Sequence, residues 1–453
     1  MVALSSMWTS LIPVGFVFQF LICSAHLKDA QDIRTKRSTT ECARDALSNS
    51  SKEFFVFLTI NAVESNSLFG GHDSRKIELN WTPKSGGEST DWIGLFRSDP
   101  EIRLREPLVR VPVTRHNGYY KTGYRFPQHP MLGLNSPMGT CLFGYWIGYI
   151  RGNETLKSNC LRMRPSWMWD EREVINDIPI HALMIPGSHN SGSYKILGEG
   201  STFNILDRYS INQAEDVWNQ LLYGIRYLDI RVGYYPHTPE KFWIVHNFVQ
   251  VNPLYVVLQD VRKFLQSTKE ILIVDFHRFP SGFQYDHINT KYWAILWLEI
   301  GWVATSLRGI YGNSNKTLIL TYSHDPSSAY NDKIWSEVRH AWGDKKRPEA
   351  LYRFLNRSMT RHQTAKYPWA AMTHLTPSAL DVIMNPNGGI AQLSDGIARQ
   401  INRWFREDWW NSANLVATDF ILGNNIIEES ILANRKRYIC RQHSRMNDNP
   451  NFY

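Results

Sequence analysis

Residues 225–232 read IRYLDIRV, and this octet decides the fold. It is rich in β-branched and aromatic side chains, which favours a strand, and side chains along a strand point alternately to its two faces. Leu228, Ile230 and Val232 therefore share one face and can pack on helices. Ile225, Tyr227, Asp229 and Arg231 share the other. A carboxylate and a guanidinium turned toward the interior of a fold are costly unless they pair with each other or do chemistry. A barrel strand with helices behind it and a site in front has this pattern.

The same grammar of alternating strands and helices extends outward in both directions. Upstream, ALMIPGSH (182–189) reads as a strand and turn, and AEDVWNQLLYG (214–224) as a helix with a glycine stop. Downstream come a strand KFWIVH (241–246), a helix LYVVLQDVRKFLQ (254–266), a strand EILIVDFH (270–277) and a helical stretch YWAILWLEIGW (292–302). The later strands are TLILTYSH (317–324), WAAMTHLT (369–376) and LVATDF (415–420), with a helix DGIARQINRWFRED (395–408) between the last two. Such alternation over about 285 residues fits one α/β barrel better than two separate domains.

In a barrel, chemistry gathers at the C-terminal ends of strands. Polar residues do cluster there: His189, the pair Asp229 and Arg231, His246, Asp275 with His277, Tyr322 with His324, His374, and Asp419. Each has a plainer reading. A single strand-end histidine is often only a hydrogen-bonded structural residue. Asp229 and Arg231 could be a buried structural pair, and Asp419 could cap the turn that follows it. The joint pattern is harder to assign to structure alone. Two imidazoles, a guanidinium and a carboxylate in one pocket suit phosphodiester cleavage. One imidazole takes the proton of the attacking hydroxyl and the other returns one to the leaving oxygen. The guanidinium neutralises the phosphoryl oxygens, and the carboxylate fixes the tautomer of the base.

The motifs IPGSHNSGS, WNQLLYGIRYLDIRV, WIVHNF and FLQSTKEILIVDFHRF, taken in that order, resemble the X-box of phosphatidylinositol-specific phospholipase C. VATDFILGNNIIEESILANRK is similar to the last strand and helix of that family, and VRHAWGDKKRPEALYRFL between them resembles its eukaryotic X-domain-containing branch. The resemblance spans about residues 166–440 and implies a distorted TIM-type barrel. It also implies roles. His189 matches the general base that deprotonates the inositol 2-hydroxyl, and His246 the general acid that protonates the diacylglycerol oxygen. Asp419 matches the carboxylate that orients the base, and Asp229 the acidic residue of its strand. Arg231 stands where bacterial members hold Arg and the calcium-dependent enzymes hold an acidic ligand. His277 stands at another position that is acidic in the calcium enzymes. Exchanging two carboxylates for Arg and His removes the hard oxygen ligands calcium needs, so neither metal nor cofactor is expected. The resemblance implies an inositol cyclic phosphate as first product. Tyr322 and Asp344 fall near headgroup-contact positions of the bacterial enzymes, and with Asn190 and His277 they are the candidate substrate contacts. Asn190 stands where bacterial members have Asp, and Asn247 where the family usually has Gly.

Ahead of the barrel, residues 51–165 form a run of short strand-like segments, FFVFLTI, KIELNWT, DWIGLFR, LVRVPV and LFGYWIGYI, punctuated by Gly, Pro, Ser and Asn. This pattern predicts a small antiparallel β-sandwich. KIELNWTPKSGGESTDWIGLFRSD resembles the SKICH-like sandwich modules, and nothing in it looks catalytic, so an accessory role is expected. Residues 26–50 read as a polar linker. The expected layout is thus a signal peptide over 1–25, the linker, the sandwich over 51–165 and the barrel over 166–453.

Leu11 to Cys23 is apolar but short and broken by Pro and Gly, and Cys23-Ser24-Ala25 suits signal peptidase, so cleavage after Ala25 and secretion are expected. The n-region has no Lys or Arg, which leaves an uncleaved signal anchor as the alternative. Sequons begin at Asn49, Asn80, Asn153, Asn315 and Asn356. With Cys23 removed, four cysteines remain. Cys141–Cys160 would close a short loop and Cys42–Cys440 would tie the chain ends; four free thiols are the alternative. No Cys/His cluster has zinc-finger spacing.

The chain of 453 residues is 43% hydrophobic and 20% charged, which excludes a mostly disordered polypeptide. Its formal charge of +8 favours anionic partners. The basic residues are dispersed and no base-reading motif is present, so nucleic acid is not expected. The expected partners are a phospholipid or a glycosyl-phosphatidylinositol (GPI) anchor and, transiently, a membrane surface, met by a monomer. Two other functions remain open. One is a lipid- or glycan-binding protein on a degenerate barrel, and the other is a metal-dependent barrel phosphodiesterase.

Overall fold

The computed structural model describes residues 55–63, 75–82, 87–114, 118–127, 141–176, 178–195, 204–283, 317–323, 335, 337–384 and 388–448. The expected signal peptide, the linker, the 292–302 helix, His324, Cys42, and the sequons at Asn49 and Asn315 lie outside the described residues. The chain divides into two compact units, residues 51–438 and residues 1–50 with 439–453. The architecture of the larger unit is mixed α/β.

Its first seven strands are β1 (Phe55–Ile60), β2 (Lys76–Thr82), β3 (Asp91–Phe96), β4 (Val109–Pro112), β5 (Gly118–Arg125), β6 (Cys141–Arg151) and β7 (Glu154–Arg162). They form two antiparallel sheets, ordered β1-β2-β5 and β4-β3-β6-β7. Every second residue faces inward. Ile77 and Leu79 from one sheet meet Ile93, Leu95, Ile147 and Tyr149 from the other in a shared hydrophobic core. Asp91, the acid of the DWIG segment, is structural. Its buried carboxylate accepts from Arg151 at 2.8 and 3.0 Å and from the Tyr149 hydroxyl at 2.7 Å. The Arg151 guanidinium holds its pKa below the usual carboxylate range. Cys141 and Cys160 form a disulfide between β6 and β7, as their spacing led us to expect.

Nine further strands make one large sheet: β8 (Ile185–Ser188), β9 (Tyr227–Tyr234), β10 (Phe242–His246), β11 (Val249–Pro253), β12 (Leu272–Ser281), β13 (Leu318–Tyr322), β14 (Arg339–Ala341), β15 (Trp369–Met372) and β16 (Leu415–Thr418). Seven of them run parallel, in the order β14-β15-β16-β8-β9-β12-β13. Trp335 makes a parallel bridge to Thr321 of β13 four residues before β14 begins. From Tyr227 onward the octet behaves as its alternation predicts, whereas Ile225 precedes the strand and packs in the same core as Leu228. Leu228, Ile230 and Val232 pack in the core with Leu221, Val257 and Phe264. Those partners lie on helices α1 (Val217–Tyr223) and α2 (Leu254–Ser267). The Asp216 side chain caps the first, and Gly224, at φ 126°, ends it where a Cβ would strike Ile427.

Two strands of this sheet were not legible in the sequence, nor were β5 and β7 ahead of it. β14 is only three residues long, and β11 ends in Pro253. The strand carrying His246 also differs from expectation. β10 runs antiparallel to the end of β9 and turns back as a hairpin into β11, so it is not a rung of the parallel sheet. The base of the sheet is clamped by Arg226, which is fully buried. It donates to Glu270 at 2.7 Å and to the carbonyls of Arg164, Pro165, Leu221 and Ile225. Removing one member of such a pair typically costs about 3–5 kcal/mol, because the other charge is left buried and alone.

Candidate active site

Strand β8 delivers His189 from the segment IPGSH. Its backbone N–H donates to the Thr418 carbonyl, which ties it to the end of β16 and so to Asp419. The imidazole is buried and held at both nitrogens. Nδ1 lies 2.7 Å from Asp419 Oδ1, and Nε2 accepts from Arg231 Nη2 at 2.7 Å. A guanidinium can only donate. Nε2 must therefore carry the lone pair, and the proton sits on Nδ1, facing the carboxylate. This is the neutral tautomer that a general base requires. Burial, and then the Arg231 charge, push the His189 pKa well below its ordinary value, so the ring is neutral at physiological pH.

Arg231 reaches this point from the inward face of β9 and also contacts Asp229 Oδ2 at 3.4 Å. Asp229 is buried. Burial alone would raise its pKa, but Arg231 and the surrounding histidines overcome that and hold it below the usual range. The Asn190 backbone N–H donates to the same carboxylate at 3.2 Å, and its side chain donates to Asn212. Asn190 sits at φ 44°, a left-handed conformation that Asn tolerates better than other residues with a Cβ. Asp419, whose pKa burial raises, accepts from Asn212 Nδ2 at 2.9 Å. Gln213 Nε2 bridges the His189 and Thr418 carbonyls.

His246 ends β10 on the hairpin. Its electrostatic partners are Arg231, Asp419 and Asp229, and it hydrogen-bonds the Tyr209 main chain. Burial and Arg231 lower its pKa to about 4. Asn247 follows at φ 53°. That explains the departure noted above, because a position that favours Gly is filled by the side chain best able to take its backbone conformation.

His189, Asn190, Asp229, Arg231, His246 and Asp419 are thus brought together. His277 lies beside them. It lines, with Arg231, His340 and His374, a cavity of about 370 Å³. Its pKa is lowered to about 4 by burial and by His340. Neither Tyr322 nor Asp344 is among the residues that line this cavity. The Tyr322 ring packs edge-on against Phe279 in the hydrophobic core. Asp344 is exposed after β14 at φ 47°.

The sequence reading did not assign roles to several neighbours. His374 stacks on His189 with ring centres 3.8 Å apart. His340 stacks on His277 at 3.4 Å and, with the Tyr227 hydroxyl, contacts Asp275. His374 and Asp275 stand at strand ends in the sequence pattern. Asn212 and His340 carried no periodic signal.

Two groups, His189 with His374 and Asp419, and Asp275 with His277 and His340, place metal-ligand atoms within 4.8 Å of one another. In both, the two imidazole planes are nearly parallel, 8° and 9° apart, so their nitrogen lone pairs do not converge and a ring would have to turn to bind an ion.

No family model matches the chain. Human PI-PLC X domain-containing protein 1 is 24% identical over 319 residues, covering 64% of this chain and 98% of that protein. Mouse PI-PLC X domain-containing protein 3 is 24% identical over 312 residues, covering 59% and 92%. Among solved structures, phosphatidylinositol-specific phospholipase C from Staphylococcus aureus aligns with TM-score 0.47 at 13% identity, covering 59% of this chain and 97% of that one. The Listeria monocytogenes enzyme aligns with TM-score 0.44 at 16% identity, covering 59% and 98%. The chain is thus similar in sequence to PI-PLC X domain-containing proteins 1 and 3.

Proposed function

We propose that this chain cleaves phosphatidylinositol-type lipids or GPI anchors by acid–base catalysis, with Arg231 in the place a divalent ion takes in calcium-dependent enzymes. The observation that carries the reading is the line Asp419–His189–Arg231, which sets the tautomer of the base and aims a guanidinium at its lone pair. In the proposed step, the inositol 2-hydroxyl displaces Arg231 from His189 Nε2 and gives its proton to that nitrogen. Its oxygen attacks phosphorus while Arg231 turns to the phosphoryl oxygens. His246 gives a proton to the departing glyceryl oxygen. The products are an inositol cyclic phosphate and diacylglycerol. Burial and the Arg231 charge lower the His246 pKa; an arriving phosphate offsets that charge and favours the protonated imidazole.

The parallel strands and the Trp335–Thr321 bridge suit a distorted barrel, and the two small sheets with their common core suit a sandwich ahead of it. A membrane surface as partner is supported by exposed apolar side chains grouped near His246. Phe248, 85% exposed, lies two residues beyond it on the hairpin. Tyr209, whose main chain His246 contacts, donates its hydroxyl to the Asp381 carbonyl. Leu206, Leu380, Ile383 and Met384 beside these residues are all exposed. Secretion, and access to lipids of the outer leaflet, remain part of the proposal. Of the sequons, Asn153 and Asn356 are exposed, whereas Asn80 is buried and donates to Thr59, which corrects its place among the candidate glycosylation sites. The test is inositol phosphate release from phosphatidylinositol vesicles, compared with a His189→Ala/His246→Ala double variant. Turnover no greater than that of the variant would leave only a binding function.

A further inference from the structure

A cavity of about 300 Å³ lies away from the histidines, between β1, β2 and β5 on one side and helix α3 (Ile390–Arg403) with the turn after it on the other. None of its lining residues is acidic, and three are arginines: Arg399, Arg403 and Arg406. Arg399 pairs with Asp395 and Glu78 and lies 4.0 Å over the Tyr119 ring. Arg406 pairs with Glu407 and Glu429. Arg403 makes no ion pair among the described residues and is exposed.

Two more donors face no acceptor. Trp81 Nε1 and Asn402 Nδ2 are buried without a hydrogen-bond partner, and both residues line the cavity. An unmade hydrogen bond of this kind costs about 1–3 kcal/mol and needs a reason. The wall beside them is aromatic, made by Phe57, Trp81 and Tyr119. Gly118 is part of the construction: a Cβ there would come within 2.2 Å of the Trp81 ring, so only glycine lets the indole lie against β5.

Arg399 and Arg406 are neutralised by the carboxylates behind them, but Arg403 and the two unpartnered donors, with no carboxylate among the lining residues, favour an anion, and flat aromatic faces favour the C–H face of a ring. The volume is at the lower end for small-molecule sites, room for about one sugar unit. We infer that this cavity binds an acidic sugar, its carboxylate held by Arg403 and the buried donors and its ring laid on the aromatic wall.

The test is a ligand-observed NMR titration of the full chain with glucuronate, with glucose and acetate as probes of each half of the ligand. Glucuronate binds in the millimolar range, and glucose and acetate each bind at least roughly tenfold more weakly. Arg403→Met, at an exposed position that folding tolerates, weakens glucuronate by roughly tenfold or more. Trp81→Phe, which keeps a ring and loses the donor, weakens it by roughly threefold, and His189→Ala leaves it unchanged. No glucuronate binding up to about 10 mM, equal binding of acetate, or an unaffected Arg403→Met variant overturns the inference.

Discussion

Replacing Arg231 by Met removes a charge that three buried groups feel. The guanidinium lies 2.7 Å from His189 Nε2 and 3.4 Å from Asp229 Oδ2, and it is a principal cause of the low pKa of His246. Losing one preorganised donor to a developing oxyanion costs about a hundredfold to a thousandfold in kcat, or roughly 3–4 kcal/mol, and a charged donor belongs at the upper end. The pKa values of His189 and His246 should both rise, because the repelling charge is gone. Asp229 is left as a buried carboxylate without its guanidinium, so the single variant loses stability too, by up to about 3–5 kcal/mol if nothing relaxes. Asp229→Asn/Arg231→Met removes both charges and separates the two effects: stability recovers while activity stays lost. The assay is kcat and KM on monomeric short-chain phosphatidylinositol in the presence of chelator, with urea unfolding run in parallel. A folded Arg231→Met variant whose kcat stays within about threefold of the parent would refute the role given to the guanidinium.

Three further outcomes are expected. Asp419→Asn cannot hold the Nδ1–H tautomer of His189, so kcat falls roughly a hundredfold to ten-thousandfold with KM little changed; a loss confined to KM would contradict this. His189 and His374 have pKa values well below 6.5, and His246 and His277 lie at about 4. The unfolded chain therefore binds more protons between about pH 6.5 and 4, so stability is full above that window and falls as pH drops through it. Burial raises the pKa of Asp419, Glu429, Asp170 and Asp260, the last to about 6, and these oppose the loss only in the lower part of that window; a urea midpoint equal at pH 7.5 and pH 5 would argue against burial of the histidines. Phe248→Ser/Ile383→Ser weakens sedimentation with anionic vesicles while leaving turnover of monomeric substrate intact; unchanged vesicle binding would remove the apolar rim as a membrane contact.

What could be read in the sequence was what strand geometry dictates. The period of two in IRYLDIRV sorted Leu228, Ile230 and Val232 from Tyr227, Asp229 and Arg231 without any knowledge of the fold, and the packing follows that division. Strand-end position likewise gathered His189, Asp229, Arg231 and Asp419. Neither the strand-end position of Tyr322 nor its place near a headgroup contact of the resembled family says which way the ring turns, and it turns to Phe279. The hairpin under His246 was invisible because KFWIVH has the same composition whichever way the strand runs. Asn212 supports both Asp419 and Asn190 from a loop, where no periodicity marks a residue as important. The stacking of His374 on His189 depends on β16 pairing with both β15 and β8, strands some 45 and 230 residues from it in the chain. The Asn80 sequon shows the same limit in reverse, since a three-residue motif cannot reveal that its asparagine is turned into the core.

The most direct measurement is 31P NMR of the products formed from phosphatidylinositol in excess EDTA. A five-membered cyclic phosphodiester appearing with chelator present, and absent from the His189→Ala and His246→Ala variants, is the predicted result. Turnover that stops with EDTA and returns with calcium, or a linear inositol phosphate with no cyclic precursor, would contradict a guanidinium-assisted pair of imidazoles.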